Sequence, residues 1–292
     1  MILKIKMEKT DGSNYQKEEL NSMGRPKKIL FLEPQPCIRT LKYAEGLKGG
    51  EFEISFGYHG KTLSEFYGVG DNLFVNWIKL NREKNNSQLV DLLNSGEYDI
   101  IHSHNAPDYL TVQAINAARK SGKNIPVIQD NHDVLTMRKT AYGSGLEDIE
   151  KTLREEMIAN QFSDARIHVT QGVMDYVVSK YGAKPGFDLV FSNFVPEKLV
   201  PINLLPKMSS KDGNIHIAYE GNVDEMPTGS HYDLLGIFDS ITEQGFHLHI
   251  YTPHEASNYA KLSKKNHNLH FHGRLDPDKL LTELTKYDFG WA

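Results

Sequence analysis

The chain has 292 residues, of which 39% are hydrophobic and 24% are charged, a composition typical of a globular protein with a sizeable core. Its formal net charge of -5 excludes a broad basic surface for nucleic acid, so any recognition of phosphate must be local. Cys37 is the single cysteine and excludes an internal disulfide, and the sequence lacks an apolar run near the roughly 20 residues that span a bilayer. These features predict a protein of the reducing cytoplasm.

Residues 1–26 are mostly polar. They lack the apolar core and the small-residue cleavage site of a signal peptide, so they are not typical of a secreted protein. We predict that this segment is a flexible leader.

Short apolar runs alternate with amphipathic stretches through the first half of the chain. Residues 29–32 have the length and composition of a buried strand, and residues 38–47 carry apolar side chains at helical spacing. The other elements predicted in this half are strands at 52–56, 99–102, 126–129, 165–169 and 189–191, and helices at 110–120, 149–159 and 172–181. Because alternating strands and helices form right-handed crossovers, we expect a Rossmann-like parallel sheet in a domain of residues 27–195.

Three prolines, Pro196, Pro201 and Pro206, interrupt this rhythm and predict a linker over residues 196–213. A second α/β domain is predicted from residue 214 to residue 292. Its strands are 215–219, 246–251, 268–271 and 289–292, and its helices are 232–243, 255–265 and one that opens at Asp276. Four strands without a closing helix leave apolar sheet surface uncovered, so we expect the chain to be truncated within this domain.

Polar side chains follow five of the predicted strands. Ligands of open parallel sheets gather at the carboxyl ends of the strands, where loops can hold polar groups. The five sets are residues 102–105 (HSHN), 130–133 (DNHD), 220–222 (EGN), Tyr251 and 272–274 (HGR). A loop that caps a helix or closes a turn explains any one of them, but together they predict a ligand-binding cleft.

All of these strand ends except Tyr251 lie within segments that resemble a known family. The segments are YDIIHSHN, VIQDNHD, FSDARIHVTQGVMDYVVSKYG, VFSNFVPEKLVP, IAYEGNV and LHFHGRLDPDKLLTELTKYDFGW. In this order they resemble the group-1, or family-4, retaining glycosyltransferases of the GT-B fold, over about residues 28–292. The resemblance implies two Rossmann-like domains that face a cleft. It also implies transfer of a sugar from a nucleotide sugar to a glycan, lipid-linked or small-molecule acceptor, with retention and without an essential metal or other cofactor.

The resemblance assigns roles to individual residues. His132 matches the histidine that contacts the donor sugar near the reacting carbon, and with the adjacent Asp133 it is the candidate catalytic pair. Gly221 and Asn222 match the glycine turn beside the donor diphosphate, and Gly273 matches the glycine close to the nucleotide base. Retention needs no pair of carboxylates at glycosidase spacing, because the departing phosphate can accept the proton of the acceptor.

Three departures from the family pattern follow. The glycine turn lacks the arginine and lysine that face the diphosphate in most members, so His231 and Arg274 are the candidate cations. The glycine-rich loop expected after the first strand is replaced, and Arg39 is the candidate that supplies a cation there. The strand-end residues His104 and Tyr251 complete the predicted donor-binding set. The family's pair of glutamates would lie downstream of the last predicted strand.

Two other functions stay open. A nucleotide-sugar epimerase of the same fold would convert the donor without an acceptor, and a noncatalytic nucleotide-sugar binder would explain the missing cations. Lys261, Lys264 and Lys265 are typical of a solvated helix face, although they could also bring a peripheral enzyme to a lipid-linked acceptor at an anionic membrane. Donor base, sugar, acceptor and oligomeric state are left open by the sequence.

Histidine pairs suggest a metal site as a further alternative. Alternate residues of a strand face the same side, so each His-x-His pair could chelate a metal. The pairs are His102 with His104, His247 with His249, and His270 with His272. We favour histidines at strand edges with hydrogen-bonded rings, and we therefore predict no metal site. Asp276 and Asp278 imitate a metal-binding D-x-D, but their position at a helix start favours capping and the helix dipole.

Overall fold

The computed structural model describes residues 25–68, 70–81, 85–137, 149–193, 195, 197, 200–224, 232–253 and 256–291. These residues form two parallel β-sheets, one with seven strands and one with four. Each sheet and the helices that cover it make up a lobe, the first lobe being N-terminal and the second C-terminal. The chain thus has the α/β architecture that the sequence predicts.

The first sheet contains seven strands. They are β1 (Lys27–Leu32), β2 (Phe52–Tyr58), β3 (Asn76–Lys79), β4 (Ile100–His104), β5 (Val127–Asn131), β6 (Ala165–His168) and β7 (Asp188–Val190). Their order is β3-β2-β1-β4-β5-β6-β7, and every neighbouring pair is parallel. The order reverses between β1 and β4, which creates the switch point where open parallel sheets bind ligands.

Both faces of the first sheet are covered. Along β1, Leu30 and Leu32 enter one hydrophobic cluster, whereas Ile29 and Phe31 enter another on the opposite face. A strand buried on both faces has no polar alternation. This explains why a continuous apolar run predicts β1.

Six helices of the first lobe are described. They are α1 (Ile38–Leu47), α2 (Leu63–Tyr67), α3 (Asn85–Ser95), α4 (Tyr109–Lys120), α5 (Ile149–Phe162) and α6 (Gln171–Tyr181). The predicted bounds of α1 are confirmed, and α4 and α6 begin one residue earlier than predicted. The sequence prediction missed α2, α3 and β3. Helix α2 is too short for a periodic pattern and is stabilised by a capping box between Thr62 and Glu65.

Strands β4 and β5 continue two residues past their predicted ends. His104 and Asn131 therefore belong to strands rather than to loops. The ladder of backbone hydrogen bonds does not depend on side-chain polarity, so a change from apolar to polar residues does not end a strand. Strand β2 also continues two residues past its predicted end, to Tyr58.

The last part of the predicted linker is attached to the second lobe. It contains a short helix, α7 (Ser209–Asp212). The Ser209 hydroxyl donates to Asp288 Oδ1 at 2.5 Å, and the Leu205 backbone N–H donates to the Thr285 hydroxyl at 2.9 Å. The domain boundaries drawn from the sequence stay a prediction.

The second sheet contains four strands. They are β8 (His216–Glu220), β9 (His247–Tyr251), β10 (Leu269–Gly273) and β11 (Phe289–Trp291), in the order β10-β9-β8-β11 and all parallel. The described helices that accompany them are α8 (Leu235–Glu243), α9 (Ser257–Ser263) and α10 (Pro277–Leu284). Phe238 and Tyr259, from α8 and α9, pack with Leu248 in one core, and Ala218 packs with Tyr287 in another.

Helix starts in the second lobe differ from the predictions. Helix α8 begins at Leu235, three residues later than predicted, because the Leu234 N–H bonds to the Tyr232 carbonyl in a turn. Residue 255, the predicted start of α9, lies outside the described residues. Asp276 is the N-cap residue of α10 as predicted, but its side chain lies 3.4 Å from Lys279 Nζ and makes no capping hydrogen bond.

None of the helices that the structure describes has the length and apolarity needed to cross a bilayer. The longest of them, α5, has 14 residues. A membrane-spanning helix needs about 20.

Candidate active site

Polar side chains from α1, β4 and β5 meet at the switch point of the first sheet. Arg39 comes from α1, His102 and His104 come from β4, and Asp130 comes from β5. These four residues are at most 5% exposed. Parallel pairing of β4 with β5 places His104 beside Asp130, so two polar sets that are separate in the sequence form one cluster.

Asp130 lies at the centre of this cluster. Arg39 Nε donates to both of its carboxylate oxygens at 3.0 and 3.1 Å, and the Tyr43 hydroxyl donates to Oδ2 at 2.6 Å. The other Arg39 nitrogens donate to the Tyr43 hydroxyl at 2.8 Å and to Asn193 Oδ1 at 3.1 Å. Arg39 is the cation that the sequence analysis predicts for donor binding. In this arrangement its charge is neutralised by Asp130.

The ionisation states of the cluster follow from burial and charge. Burial alone would raise the pKa of Asp130, but contact with His102 and the positive charges around the carboxylate outweigh it and hold this pKa well below its usual value. His102 Nε2 lies 3.5 Å from Asp130 Oδ2. Burial and the neighbouring His102 lower the pKa of His104 well below its usual value, so His104 is neutral near pH 7.

The first His-x-His pair faces one side of the sheet, as predicted. The ring centroids of His102 and His104 are 4.7 Å apart, and the Phe31 ring stands edge-on to both. Neither ring nitrogen of His104 has a hydrogen-bond partner among the residues that the structure describes. The expectation of hydrogen-bonded rings therefore does not hold for His104.

Asn105 fixes the loop that carries the two predicted catalytic residues. Its Oδ1 accepts hydrogen bonds from the backbone N–H groups of His132 at 3.0 Å and Asp133 at 3.1 Å, and its Nδ2 donates to the Asp133 carbonyl. Asn105 itself is 1% exposed. The His132 side chain is 22% exposed, and its Nδ1 lies 4.0 Å from Asp130 Oδ1. His132 therefore lies at the edge of the Asp130 cluster on an anchored backbone.

Glu33 is a buried carboxyl group that the sequence analysis did not select. It directly follows β1 and accepts hydrogen bonds from the Thr40 hydroxyl and the Cys37 backbone N–H. Burial raises the pKa of Glu33 to about 7, although these bonds oppose the rise. A Glu33 oxygen, the Cys37 sulfur and a His132 ring nitrogen lie within 4.8 Å of one another. A glutamate directly after an apolar strand was the signal that could have identified it.

The turn after β8 contains two predicted donor-binding residues, Gly221 and Asn222. A Cβ atom on Gly221 would lie 2.7 Å from the hydroxyl of Tyr219, which donates to the Asn222 carbonyl at 2.6 Å. The Gly221 N–H donates to the Tyr251 carbonyl at 3.1 Å. Asn222 Oδ1 is buried and has no hydrogen-bond partner in the described part of the chain. Packing of Tyr219 is thus one reason for glycine at position 221.

A cavity of about 560 Å³ opens at the carboxyl ends of β9 and β10. Tyr251, Arg274 and Lys279 line it, and Gly273, with a φ of 70°, is the last residue of β10 and pairs with Tyr251 of β9. The Tyr251 hydroxyl donates to Glu283 Oε1 at 2.9 Å, and its ring stacks against that of a neighbouring histidine at 4.7 Å. Three predicted donor-binding residues are therefore brought together. The fourth candidate of this lobe, His231, lies outside the described residues.

Histidines of the second sheet lie in ring contact with one another on a face that we call the histidine face, and their hydrogen bonds form two separate groups. It consists of His216, His247, His249, His270 and His272. His249 contacts His216 at 2.8 Å and His272 at 2.9 Å through its two ring nitrogens, and His247 contacts His270 at 3.0 Å. The ring nitrogens thus bind each other, in agreement with the interpretation that we favour for these pairs.

The two lobes lie close together near the ends of β8 and β10. Arg274 Nη2 is 3.8 Å from the position that a Cβ atom on Gly68 would occupy. Burial and Arg39 lower the pKa of Lys42 in α1, and the negative charge of Glu220 at the end of β8 opposes this shift across the gap. Helices α1 and α2 of the first lobe therefore border a common gap with the strand-end residues Glu220 and Arg274 of the second lobe.

Comparison with known proteins identifies the fold. No protein-family model and no curated protein sequence matches this chain. Anabaena HepE in complex with UDP-glucose matches 87% of this chain and 71% of its own, with 15% identity and a TM-score of 0.59. The lipopolysaccharide outer core galactosyltransferase WaaB matches 89% of this chain and 72% of its own, with 13% identity and a TM-score of 0.57. The chain has a GT-B-like α/β fold.

An enzyme of another class shares this GT-B-like fold. UDP-N-acetylglucosamine 2-epimerase from Rickettsia bellii matches 89% of this chain and 72% of its own, with 13% identity and a TM-score of 0.51. Because transferase and epimerase activities occur on one fold, the function must be argued from the site.

Proposed function

We propose that this chain is a glycosyltransferase that binds a nucleotide sugar between its lobes and transfers the sugar to an acceptor with retention. The observation that carries the proposal is the common gap between the lobes, which Gly68 borders on the first lobe and Arg274 on the second. HepE is described in complex with UDP-glucose, and WaaB is a galactosyltransferase. A uridine diphosphate sugar is therefore the first donor to test.

Charge in the second lobe supports recognition of the diphosphate. Arg274 and Lys279 line the cavity at the ends of β9 and β10. Lys279 pairs with Asp276 at 3.4 Å on the exposed surface, whereas the Arg274 guanidinium reaches toward the first lobe at Gly68. We propose that Arg274 supplies the positive charge for the donor diphosphate that the turn after β8 lacks. Arg39 is a weaker candidate, because Asp130 already neutralises it.

The proposed chemistry breaks the bond between the anomeric carbon and the diphosphate and forms a bond from that carbon to an acceptor oxygen. The acceptor proton passes to the departing phosphate on the same face, which gives retention. His132 contacts the sugar near the reacting carbon, and Asn105 holds its backbone in place. Asp130 stays ionised beside Arg39, so its role is to order the cluster rather than to donate a proton.

Epimerisation is the second candidate, and one observation favours it. Glu33 is a buried carboxyl with a pKa raised by burial to about 7, close to the His132 ring. A group that titrates near neutral pH can both accept and donate a proton, which an epimerase requires. This candidate predicts a changed sugar without an acceptor.

Binding and turnover measurements separate the candidates. We would titrate the chain with uridine, guanosine and adenosine diphosphates and their sugars by calorimetry, and then follow the tightest donor with and without acceptors. Nucleotide release that requires an acceptor supports transfer, a changed sugar without acceptor supports epimerisation, and binding without turnover supports a noncatalytic binder. Failure of every nucleotide and nucleotide sugar to bind would refute the proposal.

The variant His132→Ala tests the assignment of the reacting site. We expect turnover to fall about 100-fold, because the lost contact acts near the reacting carbon. Nucleotide affinity should change little, because the second lobe supplies that binding. His267→Ala is the matched control, since His267 is exposed and lies outside both strand-end clusters. Equal turnover in His132→Ala and wild type would remove His132 from the site.

A further inference from the structure

Two clusters in the described residues have donor atoms close enough to share a metal ion. The first consists of His102, His104 and Asp130, all buried. Its carboxylate already accepts two hydrogen bonds from the Arg39 guanidinium. A divalent ion would meet this positive charge in a closed space, so the first cluster is unsuited to a metal.

The second cluster, Glu33, Cys37 and His132, has the opposite properties. The groups that the structure shows in contact with the Glu33 carboxylate are the Thr40 hydroxyl and the Cys37 backbone N–H, and both are neutral. Cys37 and His132 are partly exposed, whereas Glu33 is buried. The cluster therefore combines a buried carboxyl group without a described cationic partner and two partly exposed ligands.

The three donor atoms also match one kind of metal. Carboxylate oxygen, thiolate sulfur and imidazole nitrogen are the ligands of zinc in proteins, and zinc sites that keep an open position use three protein ligands. The donor atoms lie within 4.8 Å of one another. Zinc–sulfur and zinc–nitrogen bonds of about 2.3 and 2.0 Å place donors roughly 3.5 Å apart, so small side-chain rotations complete the site.

The backbone around these ligands is already ordered. Asn105 accepts the His132 N–H at 3.0 Å, and Glu33 accepts the Cys37 N–H at 3.3 Å. Ligands on an anchored backbone lose less conformational freedom when the metal binds. The anchored backbone distinguishes this cluster from surface side chains that lie near one another without being held in place.

We propose that Glu33, Cys37 and His132 bind zinc or another divalent ion that accepts a thiolate ligand, with a fourth position open to solvent. On binding, the sulfur exchanges its proton for the metal, and the proton passes to solvent. The site shares His132 with the transfer chemistry proposed above, but metal binding itself does not depend on that chemistry. One consequence rests on that proposal: an ion on His132 should inhibit transfer.

Cobalt is the probe, because a thiolate bound to Co²⁺ gives a near-ultraviolet charge-transfer band. The chain has one cysteine, so the band can arise only at Cys37, and sites made of histidine alone do not produce it. We expect the band to saturate at one equivalent of Co²⁺ and to disappear when Zn²⁺ is added. Cys37→Ser should abolish it. Glu33→Gln and His132→Ala should weaken Co²⁺ binding about 10-fold or more, and His267→Ala should leave it unchanged.

Two results would overturn the proposal. One is a folded wild-type chain that gives no band, and the other is a band with the same midpoint in wild type, Glu33→Gln and His132→Ala. If circular dichroism shows that a variant does not fold, the cobalt test of that variant is replaced by a measurement of thiol reactivity in the wild-type chain. Zn²⁺ should slow the reaction of Cys37 with a thiol reagent, and a chelator should restore it; an unprotected thiol refutes the site. Neither readout needs nucleotide or turnover, so failure of the metal site and failure of the transferase proposal are distinguishable.

Discussion

The Arg39–Asp130 pair determines the state of the switch point at the scale of single residues. Both side chains are at most 3% exposed. A buried ion pair contributes little net stability compared with apolar residues, but removal of one partner leaves the other charge buried and unpaired. The pair therefore orients the Tyr43 and Asn193 side chains and keeps the carboxylate ionised.

Replacement of Asp130 by asparagine should destabilise the chain strongly. The Arg39 guanidinium would lose its counter-charge in a buried position, which costs about 3–5 kcal/mol. Urea unfolding measures the loss. Asp276→Asn is the matched control, because Asp276 pairs with Lys279 on the surface and its change should stay within about 0.5 kcal/mol. Similar stability of the two variants would show that the buried pair does not hold the cluster together.

At the scale of elements, the turn after β8 depends on a close approach of Tyr219. This tyrosine is 5% exposed and belongs to the core of the second lobe. Its hydroxyl lies where a side chain at position 221 would begin. Packing of Tyr219, from the strand before the turn, therefore determines the shape of the turn. This shape determines which groups of the turn a ligand can contact.

Two glycine-to-alanine variants test this dependence. Gly221→Ala should cost about 1–3 kcal/mol, because the new methyl group displaces Tyr219 and breaks its hydrogen bond to the Asn222 carbonyl. It should also weaken nucleotide binding in calorimetry. Gly236→Ala is the control, since α8 has open space there and alanine should stabilise the helix by about 0.5–1 kcal/mol. Unchanged stability and unchanged nucleotide affinity in Gly221→Ala would contradict this account.

For the whole molecule, buried histidines in both lobes make stability depend on pH. Burial is the first cause that lowers the pKa of five histidines in the described part of the chain, and it lowers that of His249 to about 2. The others are His104, His168, His270 and His272. Such residues stay neutral in the folded chain, whereas the unfolded chain takes up protons below about pH 6.5. Their stabilising contribution is therefore present above pH 6.5 and is lost as the pH falls.

Charged neighbours modify this dependence. Lys286 lowers the pKa of His272, whereas Glu283 raises it, and Asp212 contacts the His216 ring at 3.0 Å. Burial raises the pKa values of Glu33 and Asp108 to about 7, so these carboxyls stabilise the folded chain as the pH falls from 7 toward 4.5. Between pH 7 and pH 5, five histidines lower the stability of the folded chain as the pH falls, and two carboxyl groups raise it. The effect of the histidines should dominate because they are more numerous.

The free energy of unfolding should therefore be lower at pH 5 than at pH 7. Urea unfolding at the two pH values measures the difference. His249→Gln should reduce this difference in unfolding free energy, because one buried histidine of the histidine face no longer takes up a proton on unfolding. His267→Gln, at an exposed position, should leave the difference unchanged. Equal or greater stability at pH 5 would show that the histidines are not neutral in the folded chain.

The sequence by itself determined the order of most strands and helices and the α/β class. Apolar runs and helical spacing are local sequence patterns. They are clear where a strand is buried on both faces, as in β1, or where a helix buries one apolar stripe, as in α1. They are weak in β3, a four-residue edge strand whose side chains are exposed or half-buried. The sequence also placed polar residues at the strand ends, because a parallel sheet directs them to one edge.

Only the tertiary structure decided which of these polar residues meet and in what state. Arg39 and Asp130 are separated by 91 positions, and Tyr43, which follows no predicted strand, joins them through its hydroxyl. A side chain's partner, burial and pKa depend on residues that are distant in the chain, so no local period contains them. The sequence alone therefore shows near which strand ends polar residues lie. Only the folded structure shows that Arg39 is neutralised and that Glu33 lies beside Cys37 and His132.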